Sequence, residues 1–145
     1  MIRLALTVGE PAGIGPDICL DLVRAAPEPQ IELVLIGDQH LLTERAAALG
    51  HAVRLVPFEP GEPAAPPTPG TAPVLHVDLP RRPPPGKPDP ANALALLEGL
   101  DHAVRGCLEG RFDAMVTAPL DKGVINDAGP PFSDHTEYLA ARCGT

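Results

Sequence analysis

Thirteen of the chain's 20 prolines fall between positions 57 and 90, and this concentration limits what the sequence can fold into more than any other feature. Proline has a fixed φ and no backbone N–H, so the window cannot be helix and is poorly suited to a central strand. The regular elements of the 145-residue chain must therefore lie mostly on either side of it. One apolar island inside it, VLHVDL from Val74 to Leu79, is expected to be a strand at a sheet edge. The window as a whole reads as an irregular excursion within one incomplete α/β unit spanning 1–145. A linker between two domains fits less well, because neither flank looks large enough to fold alone.

The flanks alternate between strand and helix patterns. Ile2 to Val8 is apolar and β-rich, and it feeds Gly9, Gly13 and Gly15 before Pro16 opens a helix with Ile18, Leu22 and Val23 predicted on one face. A second strand over Ile31 to Gly37 is followed by a helix over Leu41 to Leu49 that Gly50 can end, and Ala52 to Val56 supplies a third strand. Beyond the prolines, Ala91 to Glu109 is the longest helix, with Leu94, Leu97, Val104 and Leu108 at near-helical spacing. Phe112 to Pro119 returns to strand. A closing helix begins near Asp134, with Glu137 in capping-box register. Only 3% of residues are aromatic against 44% hydrophobic, so the core must come from Ala, Val, Leu and Ile. This predicts an α/β fold, a mostly parallel sheet flanked by helices.

Charge and cysteines narrow the function. A formal net charge of −8 argues against wrapping a nucleic-acid backbone. Cys19, Cys107 and Cys143 are odd in number, lack metal-ligand spacing and lie in helical segments, as in a reduced cytoplasmic protein. The N-terminus reads as a first strand rather than a signal peptide, and no apolar run approaches the roughly 20 residues that cross a bilayer.

In an open parallel sheet, ligands gather at loops leaving the carboxyl ends of strands, and two polar stretches meet that description. The first is Gly9 to Asp17, GEPAGIGPD, where three glycines before a helix can either offer backbone N–H groups to an anion or simply make a tight turn. Its spacing is neither the dinucleotide fingerprint nor a P-loop. The second runs from Thr117 to Glu137 and holds Lys122, Asn126, Asp127, His135, Thr136 and Glu137. Lys122 can hold a phosphate or carboxylate, or be solvated; His135 and Thr136 can hydrogen-bond a substrate, or serve only the start of a helix. His40, His51, His76 and His102 show no partner at ligand spacing, so no metal is assigned to them. Ser133 lacks a nucleophile elbow, and no pair of carboxylates is marked for glycoside hydrolysis.

Three motifs in order, TVGEPAGIGPDI (Thr7 to Ile18), VTAPLDKGVINDAG (Val116 to Gly129) and FSDHTEYLA (Phe132 to Ala140), closely resemble the N-terminal half of the 4-hydroxythreonine-4-phosphate dehydrogenase family. The resemblance implies an isocitrate/isopropylmalate-dehydrogenase-like fold of two α/β domains, with an active site in the cleft between them and a homodimeric enzyme. It also implies NAD-dependent oxidation and decarboxylation of 4-phosphooxy-L-threonine to 3-amino-2-oxopropyl phosphate, in pyridoxal phosphate biosynthesis. By the same resemblance His135 and Thr136 contact substrate, and Lys122 is a ligand contact.

The family's metal-binding histidines (Zn, Mg or Co), its phosphate-gripping basic groups and most of its NAD site belong to the second half. No catalytic or metal residue is therefore expected in this chain, residue 145 reads as a truncation, and the 145 residues alone should be inactive. Asp134 stands where the family usually has Gly, and either points away as a helix cap or weakens binding of an anionic substrate. Two alternatives are a phosphotransacylase-like enzyme of the same wider fold and a non-catalytic binding domain. The dehydrogenase reading requires the glycine turn and the His135–Thr136 pair to share one rim of the sheet.

Overall fold

The computed structural model describes residues 1–25 and 28–144. Five strands form one parallel sheet in the order β3-β4-β2-β1-β5, with β1 Ile2–Thr7, β2 Ile31–Gly37, β3 Arg54–Pro57, β4 Thr71–His76 and β5 Ala114–Thr117. Helices α1 (Gly15–Ala25), α2 (Gln39–Leu49) and α3 (Ala93–Leu108) lie in the β1–β2, β2–β3 and β4–β5 connections, α4 (Lys122–Asp127) and α5 (His135–Cys143) follow β5, and a 3-10 turn at Pro90–Asn92 leads into α3.

Strand periodicity of two sends alternate side chains to opposite faces, and each face has its own core. Leu6, Leu35 and Val74 meet Cys19, Leu20 and Val23 of α1 and Leu42 and Ala46 of α2. On the other face Ala5, Val34 and Ile36 meet Ala95 and Ala103 of α3. A third cluster joins α3 to the last two helices through Leu96, Leu97, Leu100, Ile125, Phe132 and Tyr138. At roughly 25 cal/mol per Å2 of apolar surface, these aliphatic contacts dominate what holds the layers together.

Several expectations need correction. On α1, Val23 is buried but Ile18 and Leu22 are each 42% exposed, because Cys19 and Leu20 take the inward positions. On α3, Leu97 and Val104 are buried but Leu94 and Leu108 point outward, and Leu96, Leu100 and Ala103 fill the face in their place. Residues 122–127, read as polar loop, form the short helix α4, capped by Asp121, whose carboxylate accepts the N–H of Val124 at 3.2 Å.

The strand inside the proline window starts three residues earlier than expected and is not at an edge: β4 lies between β3 and β2. Its backbone shows how Pro73 is tolerated there. Phe58 and Arg54 donate to the carbonyls of Val74 and Gly70, so even-numbered groups of β4 face β3, whereas Val77 donates to Gly37 and the odd ones face β2. Pro73 therefore turns its hydrogen-free nitrogen toward β2, one residue before that pairing begins at Leu35 and Val74.

Candidate functional site

Strand β1 connects onward to β2 on one side, while β5 flanks β1 on the other, so the connections part between β1 and β5. In an open parallel sheet a crevice forms at such a point, beyond the carboxyl ends of the strands. The two loops leaving there, 8–14 and 118–121, are in contact. Glu10 N–H donates to the Pro119 carbonyl at 2.9 Å, and Ala118 N–H donates to the Thr7 carbonyl at 3.0 Å. Between them, with Gly86 and Pro88 from the proline window, is a cleft of about 510 Å3 that Lys122 also lines.

The glycines serve this approach. A Cβ on Gly9, whose φ is +77°, would sit 2.4 Å from the Pro119 carbonyl oxygen, and one on Gly15 would sit 2.1 Å from that of Val8. The loop is also closed on itself: Ala12 N–H donates to Glu10 Oε1 at 3.1 Å and Gly13 N–H to the Glu10 carbonyl at 3.0 Å. Two amides that an anion cradle would use are thus already taken, and the geometry favours the tight-turn reading of the three glycines over the phosphate-cradle reading.

Glu10 is 6% exposed, and its second carboxylate oxygen has no partner among the described residues. Burial pushes its pKa above the ordinary value and nearby Asp121 adds to this, against the hydrogen bond from Ala12. Glu10 lies inside the glycine stretch and the first family motif, but nothing in the sequence singled it out; the signal is burial, which only the fold provides.

Lys122 is exposed and borders two concavities, the cleft at the glycine loop and an open groove of about 620 Å3 shared with Phe132, Ser133 and Glu137. His135 and Thr136 begin α5, which packs against α3 through Tyr138. Neither lines the cleft or the groove. His135 packs edge-on to Phe132 at 5.9 Å between ring centroids, and its Nε2 is buried without a partner among the described residues; Thr136 is exposed in the first turn. Asp134 caps α5, its carboxylate accepting Glu137 N–H at 2.7 Å. Glu137 does not complete the capping box, since its side chain accepts the Ser133 hydroxyl instead. Of the two alternatives for Asp134, the cap is what its side chain makes.

One cluster escaped the reading of the histidines. Asp38, His76 and Asp78 place one ligand atom each within 4.8 Å of one another at the ends of β2 and β4. The hydrogen bonds do not suit a metal. His76 Nδ1 accepts Gln39 N–H at 2.9 Å, so in the neutral ring Nε2 carries the proton and donates to Asp78. A ligating imidazole needs the opposite arrangement, a free lone pair at one nitrogen and an N–H at the other. Asp38 is committed as well, its two oxygens accepting N–H groups of His40, Leu41 and Leu79. Burial raises its pKa, but the hydrogen bonds from Leu79, Leu41 and His40, with His76 nearby, outweigh this and hold it below the ordinary value.

Residues 29–145 match the family described as "Pyridoxal phosphate biosynthetic protein PdxA". The chain belongs to the PdxA family. Among its relatives, 4-hydroxythreonine-4-phosphate dehydrogenase from Chromobacterium violaceum is 53% identical over 142 residues, covering 98% of this chain and 42% of that protein. The enzyme of the same name from Pseudomonas aeruginosa is 52% identical over 143 residues, covering 96% and 42%. The chain thus spans less than half the length of these curated PdxA relatives. A crystal structure of 4-hydroxythreonine-4-phosphate dehydrogenase from Burkholderia phymatum superposes with TM-score 0.88 at 25% identity, covering 99% of this chain and 44% of that one. A terephthalate 1,2-cis-dihydrodiol dehydrogenase from Burkholderia xenovorans superposes at 0.75 with 26% identity, covering 99% and 41%. Both are dehydrogenases, so the parallel sheet of this PdxA chain is shared by oxidoreductases named for different substrates. Among the described residues no helix is long and apolar enough to cross a membrane.

Proposed function

We propose that this chain forms part of a cytoplasmic, homodimeric NAD-dependent dehydrogenase of pyridoxal phosphate biosynthesis. The enzyme would oxidise and decarboxylate 4-phosphooxy-L-threonine to 3-amino-2-oxopropyl phosphate. The observation that carries this reading is 53% identity, across 98% of the chain, to an enzyme named for 4-hydroxythreonine 4-phosphate. The activity belongs to a longer chain: residues 1–145 supply one wall of the site and a second domain supplies the other.

In this reading the crevice beyond β1 and β5 receives the substrate. The Lys122 ammonium, exposed beside it, pairs with the phosphate or the carboxylate of the ligand. His135, with a buried, unpartnered Nε2, and Thr136, with an exposed hydroxyl, line neither concavity here and are carried as substrate contacts by the family likeness. NAD and a divalent cation (Zn, Mg or Co), when bound, supply the hydride acceptor and the positive charge that favours loss of carbon dioxide. The glycine loop, with two of its amides taken, forms no closed anion cradle and the Asp38–His76–Asp78 cluster does not suit a cation, which supports principal ligands supplied by the second domain.

The test is NADH formation from 4-phosphooxy-L-threonine by the complete enzyme and by its Lys122→Ala, His135→Ala and Thr136→Ala variants. Removing one charged or hydrogen-bonding contact should lower kcat/KM by roughly tenfold or more. Residues 1–145 alone should give no turnover. A complete enzyme that binds this substrate but never reduces NAD would overturn the reading.

A further inference from the structure

We propose that Arg45 is a positioning residue for the substrate cleft: its guanidinium holds the glycine loop in the shape that Lys122 and the 118–121 loop require. The proposal rests on the reading above that this cleft receives the substrate.

Arg45 belongs to α2, away from the crevice, yet it is 7% exposed. Its Nη2 donates to the Pro11 carbonyl at 2.7 Å, and its Nη1 to the Gly13 carbonyl at 3.0 Å and to Asp17 Oδ1 at 2.6 Å. Residues 11, 13 and 17 run from the middle of the glycine loop into the first turn of α1. A buried charge is tolerated only when it is paired and hydrogen-bonded, so this loop must hold its carbonyls toward Arg45. The adjoining residues carry the constraint onward. Glu10 binds Ala12 N–H through its side chain and donates its own N–H to Pro119, three residues before Lys122. A path of hydrogen bonds and the short stretches of backbone between them therefore runs from α2 through the glycine loop to the 118–121 loop, which leads into Lys122 at the start of α4.

The planar fork is what the site uses. Two separate nitrogens reach three acceptors on different residues, an arrangement the single ammonium of lysine does not reproduce. If Arg45 only glued α2 to α1, a lysine or a methionine of similar length would keep the apolar stem against its neighbours and leave the cleft as it is.

The experiment compares Arg45→Lys and Arg45→Met with the parent complete enzyme, by amide hydrogen exchange and by steady-state kinetics. Exchange should rise about tenfold or more in residues 9–17 and 118–122, with strands β1 and β2 unchanged, as for local opening of one segment. Kinetics should show kcat/KM lowered by roughly 10- to 100-fold, mostly through KM, as for misplacement of groups that orient substrate. Uniformly faster exchange, or kinetic constants per folded molecule equal to the parent's, overturns the proposal. If the parent enzyme itself shows no turnover, the functional reading fails and exchange alone decides: a rise confined to the two loops supports the positioning role, and any other pattern overturns it.

Discussion

Glu10 donates its backbone N–H to the Pro119 carbonyl at 2.9 Å, and this bond joins the loops that follow two adjacent parallel strands. Gly9 lies directly beneath it, with φ of +77° and no room for a Cβ. Gly9→Ala must both strain the backbone and push the Pro119 carbonyl away. The strain alone costs about 1–3 kcal/mol. The total loss should reach about 2–4 kcal/mol in urea unfolding, since a backbone carbonyl cannot swing aside as a flexible side chain would. A loss below about 1 kcal/mol would mean that the loops are not packed as described.

Arg3 and Glu32 form an ion pair whose side chains are only 10% and 12% exposed, and Glu32 also accepts Ala65 N–H at 2.9 Å. Breaking one side of a buried pair strands the other charge, at about 3–5 kcal/mol. Glu32→Leu alone should fall near the lower end of that range, because the pair keeps slight solvent contact. Adding Arg3→Met should restore most of the loss. Chemical denaturation of the two single variants and the double variant reads this directly; additive losses would show that the charges are not coupled.

Two buried carboxyls make opposite contributions to the pH dependence of stability. The Glu10 pKa is raised in the fold above its ordinary 4.5, so below pH 4.5 both folded and unfolded chains hold the proton and no penalty arises. As pH rises from there through the folded value, the unfolded chain releases its proton first and stability falls. The Asp38 pKa is lowered from 3.8, so its contribution is present above that pH and is lost as pH falls through the folded value. Glu10→Gln keeps the acceptor for Ala12 N–H and should remove the decline above pH 4.5. Stability curves measured from pH 3 to 8 that superpose for parent and variant would contradict this.

In its neutral form His76 should carry its proton on Nε2, with Nδ1 accepting from Gln39. Nitrogen chemical shifts of the ring distinguish the two tautomers. Equimolar zinc should leave those resonances where they are, whereas a zinc-dependent shift of His76 together with broadening of Asp78 would make the cluster a metal site after all.

The sequence carried the layer architecture clearly, because runs such as Ile31 to Gly37 and the Gly50 helix stop are local signals with one structural reading. It was less clear wherever the outcome depends on distant partners. Ile18 and Leu94 keep helical spacing, but which of two neighbouring apolar stripes turns inward is set by the opposing face. The edge position of the Val74 strand was inferred from proline chemistry alone, whereas the missing donor matters only on the side where pairing has yet to begin. Lys122, His135 and Thr136 were named as expected ligand contacts from motif likeness. Arg45 and Glu10 were not, since a charge on a helix and a carboxylate in a turn look solvated until the fold encloses them.

Pro73 also governs alignment. Sliding β4 by one residue against β2 would turn its apolar side chains to the wrong layer. A slide of two keeps the layers correct, and is therefore the error that hydrophobic pattern alone would permit. In the direction that carries Pro73 to the place of Leu75, opposite Ile36, it would set a nitrogen without hydrogen against a strand needing a donor. The imino acid that looks like a defect in an inner strand thus acts as a ratchet tooth, blocking in one direction a slide that the hydrophobic pattern tolerates.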